Sequence, residues 1–135
     1  VYRDVETLLC GWLKTVLELD SVLPELPYNM EFRLPTIAVE RFGGADDVLT
    51  LDQANVDVDV FHTSRQAAKD LAEQARRSLR VSLPGTTFTD ILLGSVTVSR
   101  VQTISAPTIA PWDNAQIRRA TASYRIWWHA HNLNL

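Results

Sequence analysis

Between residues 55 and 61 the chain reads Asn55-Val-Asp-Val-Asp-Val-Phe61, in which polar and apolar side chains alternate up to Val60. Neighbouring side chains on a strand point to opposite sides, so Val56, Val58 and Val60 share one face while Asp57 and Asp59 share the other. A fold built around such a strand must cover one side of its sheet with apolar groups and leave the other side polar. Two amphipathic segments can supply the cover. Val5, Leu8, Leu9, Trp12, Leu13, Val16 and Leu17 recur at spacings of three and four, predicting a helix from about Asp4 to Asp20. Asp4 suits the N-cap, and Pro24 and Pro27 stop the helix from continuing. A second helix is expected after Thr63, which has Gln66 at capping-box spacing. Its buried stripe is Ala68, Leu71, Ala72, Ala75 and Leu79, and the small alanines allow close approach to a sheet. Arg65, Lys69, Asp70, Glu73, Arg76, Arg77 and Arg80 fall on its wet side.

The other strands are less sharply marked. Thr36 to Phe42 has strand character, and Gly43-Gly44 begins a turn that would make a hairpin with the alternating segment. Pro84-Gly85 and the residues through Asp90 break the pattern, and Ser95 to Ile104 then reads as a strand closed by Pro107 and Pro111. The last element, from about Ile117 to His131, should pair antiparallel with it. The expected fold is therefore α+β: an antiparallel four-stranded sheet in α-β-β-α-β-β order, with two helices packed on one face and residues 1–135 forming a single domain. An apolar fraction of 46% and a charged fraction of 21% are ordinary for a globular domain.

The residues that could carry chemistry do not converge. His129 and His131 share a strand face, but two ligands are not a metal site, and His62 or Cys10 would have to complete it. Cys10, in an apolar helical stretch, reads as a small buried hydrophobe. His62 and Ser64 lack an orienting carboxylate, and Thr63 and Ser64 are explained by helix capping. Asp57 and Asp59 read as a solvated outer face, and Asp46, Asp47 and Asp52 lack the ligand spacing of a calcium loop. The sequence contains no nucleophile elbow, phosphate loop or dinucleotide fingerprint. The expectation is a protein that is not an enzyme and needs no cofactor or metal. A net charge of -3 disfavours tight nucleic-acid wrapping. Charges interrupt every apolar run, and the N-terminus lacks the order of a signal peptide, so no membrane or secretory targeting is expected.

Large aromatic and cationic residues point instead to assembly. Trp112 sits in the proline-pinned loop Ala106 to Asn114, and Trp127-Trp128 places one indole on each face of the last strand. Trp and Arg dominate the energetics of protein interfaces. Trp112, Asp113, Asn114, Arg118, Arg119, Arg125, Trp127 and Trp128 are therefore the candidate contact residues, with Arg76 and Arg77 as a basic patch.

Pro35-Thr-Ile-Ala-Val-Glu-Arg-Phe-Gly-Gly44, Val56-Asp-Val-Asp-Val-Phe61 leading into Ser64-Arg-Gln-Ala-Ala-Lys-Asp-Leu-Ala72, Pro111-Trp-Asp-Asn114 and Arg118-Arg-Ala-Thr-Ala-Ser-Tyr124 together resemble the tail terminator proteins of long-tailed actinobacteriophages. The resemblance lies in the order and spacing of these segments. It implies a virion protein at the head-tail junction, a homo-hexameric ring that caps the tail tube protein, stops tube growth and meets the head-tail connector or stopper protein. DNA would pass through the lumen without specific binding, along a wall to which Asp57 and Asp59 would contribute. The neighbouring readings are another neck-ring component, such as a head-closure or adaptor protein, and a small-molecule-binding α+β domain with a closed apolar pocket.

Overall fold

A computed structural model describes residues 5–48, 51–90, 94–114 and 116–131. The alternating segment lies within β3 (Leu51–His62), whose neighbours are β2 (Thr36–Val48) and β6 (Arg118–His131). With β1 (Val22–Leu23), β4 (Thr87–Asp90) and β5 (Gly94–Ala110), they form one six-stranded sheet in the order β1-β2-β3-β6-β5-β4. The α+β class and the two helices stand, but the sheet has six strands rather than four and is not wholly antiparallel. β1 runs parallel to β2, pairing Val22 with Ile37, and β4 pairs with the start of β5. Strands of two and four residues are too short to display a period.

The helices α1 (Val5–Val16) and α2 (Arg65–Arg77) both pack on the dry face. Val56, Val58 and Val60 of β3 meet Val5, Leu9, Cys10 and Leu13 of α1, Ala68, Leu71 and Ala72 of α2, and Ala120, Ala122, Tyr124, Ile126 and Trp128 of β6 in one cluster. α1 is shorter than its apolar pattern: Val16 is 40% exposed, and the chain turns at Glu18, whose φ is 55°. Asp4 lies outside the described residues. α2 keeps its predicted stripe, but its cap is Ser64, whose Oγ accepts from the Ala67 N–H at 3.1 Å. Gln66 donates forward to Asp70 at 2.7 Å and so does not close the expected box. A π-helical turn, Ser78–Ser82, extends α2 and buries Leu79.

Strand lengths also exceed expectation. β2 continues through Gly43-Gly44, and a bulge between Arg41 and Gly43 absorbs the irregularity. β5 runs through Pro107 to Ala110 and is interrupted by register shifts at 98/100, 103/105 and 105/108. Beyond Val98 its outer edge pairs with no strand among the described residues. On the opposite side of the sheet, the Glu6 carboxylate of α1 accepts from the Arg41 N–H at 2.8 Å, just past the end of β1.

A second, smaller core forms on the other face of the sheet, at the Phe61 end of β3. Phe61, Met30 and Ile117 are buried there, with Leu26, Leu34, Ala38 and Trp112 packed around them. Its cover is made by residues 24–35, which join β1 to β2 and include the short 3-10 turn Met30–Phe32, and by the loop before β6. Phe61 therefore has apolar neighbours on the face that the sequence pattern assigned to polar groups.

Candidate functional site

Past the small core, the second face carries a ladder of polar and aromatic side chains. β6 alternates cleanly, with Ala120, Ala122, Tyr124, Ile126 and Trp128 buried and Arg119, Thr121, Ser123, Arg125, Trp127 and His129 on the second face. Antiparallel register sets Thr121 opposite Asp59, Ser123 opposite Asp57 and Arg125 opposite Asn55. The chemistry follows the register. Thr121 donates to Asp59 Oδ1, Arg119 Nη2 pairs with Asp59 Oδ2 at 3.0 Å, Ser123 donates to Asp57 Oδ1 at 2.6 Å and Arg125 Nε donates to Asn55 Oδ1 at 3.0 Å. Across β2, Glu40 stands opposite Asp57.

Aromatic groups bracket this ladder. At one end the Phe61 and Trp112 rings meet edge to face at 4.7 Å and 66°, with the Arg119 guanidinium 5.9 Å from the Trp112 centroid. At the other end Trp127 is half-buried, with the Arg100 guanidinium 4.8 Å and the Arg125 guanidinium 6.0 Å from its ring centroid. Guanidinium groups over an indole face are attracted by its quadrupole, so the three side chains hold one another in place. Ser99 Oγ also donates to the Trp127 carbonyl at 3.2 Å, fixing the bulged stretch of β5 against β6.

The expected contact residues are thereby divided. Trp112 is committed to the chain's own small core. Asp113 and Asn114 are exposed, and Asn114 Oδ1 accepts from the Gln116 N–H at 2.9 Å, bracing the loop. Arg118 is exposed at the start of β6. Arg119, Arg125 and Trp127 share the second face. Trp128, in contrast, is 5% exposed in the main core, which corrects its assignment to an interface. Arg76 and Arg77 lie on α2, on the other side of the sheet, where Arg76 pairs with Glu73 at 3.3 Å. Asp57 and Asp59 do face away from the main core but are half-buried, and Arg119 offsets the charge of Asp59.

Arg100 is not among the expected contact residues, although the sequence carries a signal for it. Strict alternation from Val96 and Val98 would drive Arg100 into the core, whereas the next buried position is Val101. A charge at a core position followed by an apolar residue one step late marks a bulge, and the register shift between Val98 and Arg100 is that bulge.

Other expected constellations lead elsewhere. Among the described residues no three His, Cys, Asp or Glu side chains are grouped to hold a metal ion. His62 Nδ1 accepts from the Thr63 N–H at 2.8 Å, and Ser64 Oγ serves the helix cap. A cleft of about 490 Å³ opens beside the end of α1, between Glu18, Asp20 and Ser21 on one side and Phe32, Arg33 and Pro35 on the other. It is open and rimmed by charge, unlike the closed apolar pocket of a small-molecule domain. No helix among the described residues is long and apolar enough to cross a membrane.

Fold and site together define an α+β domain whose sheet has one helix-covered face and one polar face with a tryptophan contacted by two arginines. No known protein family matches the chain, and neither does any curated protein.

Proposed function

We propose that the chain is a tail terminator subunit of a long-tailed phage, acting as a ring that caps the tail tube and joins it to the head-side connector. The observation that carries this reading is the Arg100–Trp127–Arg125 cluster on the face opposite α1 and α2. A half-buried tryptophan contacted by two arginines has the composition of an interface anchor, and covering it would desolvate an already ordered group at small entropic cost. The order of the resembling segments supports the particular assignment.

The mechanism is steric. One ring face matches the tube protein and the other does not, so a further tube ring finds no complementary surface. DNA passes through the opening, and carboxylates that repel it must keep an unneutralised charge. Asp57, with Glu40 opposite it in register, meets that need better than Asp59, which Arg119 offsets.

Electron micrographs of the purified protein mixed with its tail tubes test the proposal. Rings or capped tube ends are expected, with capping weakened by Trp127→Ala combined with Arg100→Ala. Bare tube ends in the presence of folded wild-type protein would refute it.

A further inference from the structure

Among the described residues the most exposed large apolar side chains are Tyr28, Phe32 and Val81, and they form two patches on opposite faces of the sheet. In the segment joining β1 to β2, Tyr28 is 99% and Phe32 82% exposed, and Glu25 and Glu31 are exposed beside them. The same segment borders the 490 Å³ cleft, where Glu18 and Asp20 add further negative charge against Arg33. At the β4 and β5 edge, the π-helical turn after α2 leaves Val81 73% exposed, with Arg77 and Arg80 exposed next to it. Among the described residues Glu25, Glu31, Arg77 and Arg80 form no ion pair within the chain. Each patch is thus an apolar centre flanked by charge, and the two signs are opposite.

We infer that the Tyr28–Phe32 segment and its acidic cleft receive the Arg77–Val81 turn of a second copy of this chain. The inference rests on the ring reading and deepens it by naming the self-contact. Guanidinium groups suit this site doubly, since they pair with carboxylates and stack on aromatic faces. Arg80 is already oriented by donating from Nη1 to Thr103 Oγ1 at 2.9 Å. Because the two patches are different surfaces of one chain, the contact is head-to-tail and repeats from copy to copy until rotation closes a ring. It also leaves Trp127, at the far end of the second face from the small core, free to meet a different partner.

The test uses two full-length charge-reversal variants, Arg77→Glu with Arg80→Glu and Glu25→Arg with Glu31→Arg. All four positions are exposed, and circular dichroism checks that both variants fold. Self-association is read by sedimentation velocity at low salt and by counting rings on tube ends. Each variant alone should associate at least about tenfold more weakly than wild type, because like charges then meet across the contact. An equimolar mixture should recover association, since the two variants alternate with complementary patches. Wild-type association by both variants, or a mixture no better than either alone, overturns the contact while leaving a ring built elsewhere. Wild-type protein that stays monomeric even on tube ends overturns the contact and the ring reading together.

Discussion

Among the described residues Tyr124 is the largest fully buried side chain, and its hydroxyl has no hydrogen-bond partner there. It lies beneath α2 in the neighbourhood of Arg76, Glu73 and Arg80. A buried hydroxyl without a partner costs about 1–3 kcal/mol in lost hydration, and phenylalanine keeps the ring while removing that cost. Loss of one oxygen leaves little void, so Tyr124→Phe should stabilise the fold by about 1 kcal/mol, or raise Tm by about 3 °C in a chain of this length. Urea unfolding followed by tryptophan fluorescence measures the change, with the m-value unaltered. Alkaline pH supplies an independent arm. Burial pushes the tyrosine pKa well above its ordinary value of 10.0, with Arg76 pulling weakly the other way. The native state therefore retains a proton that the unfolded chain gives up above pH 10, and wild-type stability falls there while Tyr124→Phe is spared this loss. The gap between them should widen by about 1.4 kcal/mol per pH unit once the unfolded tyrosine has ionised. A variant less stable than wild type at neutral pH would show that the hydroxyl is satisfied, and a gap that does not widen between pH 10 and 11 would show that the phenol is not desolvated; either result refutes the reasoning.

Three further outcomes are expected. Ser64→Ala should lose about 1 kcal/mol in thermal melts, whereas Thr63→Ala should stay within about 0.5 kcal/mol, because only the Ser64 hydroxyl caps α2. Phe61→Ala should cost about 3–5 kcal/mol and red-shift the tryptophan emission as Trp112 loses its ring contact, both visible in fluorescence-detected unfolding. Arg119→Ala should cost about 1 kcal/mol by leaving the half-buried Asp59 without its ion pair, with the difference from wild type shrinking in 1 M salt.

The sequence pattern made the main core legible because its signals are local. The 55–60 alternation, the alanine-lined stripe of α2 and the opposite orientations of Trp127 and Trp128 all follow from side-chain geometry within one element. What stayed hidden depends on partners distant in sequence. Val22 is buried because β2 lies alongside, and nothing within two residues can announce a strand. Gly43-Gly44 and Pro107 read as stops because bulges, which let a strand run on past them, depend on the neighbouring strand. Trp112 looked like a surface anchor because its ring partner, Phe61, sits at the end of an alternating run that assigned no apolar neighbours to that face. Of the candidate site, the residues on β3 and β6 were legible from parity alone. Arg100 joined them only through a register shift, and Tyr28 and Phe32 emerged only once their exposure was known.

The rims of the sheet carry a separate consequence. An unpaired strand edge is a template on which identical chains can stack without limit. On β5 three register shifts and the missing N–H of Pro107 spoil that template, and on β2 a bulge bends the edge while the Glu6 carboxylate occupies the Arg41 amide. Fibril-like growth by backbone pairing is thus obstructed on both sides. Copies crowded together can meet through side chains, where the geometry of contact is specified, rather than through the indiscriminate hydrogen bonding of the main chain.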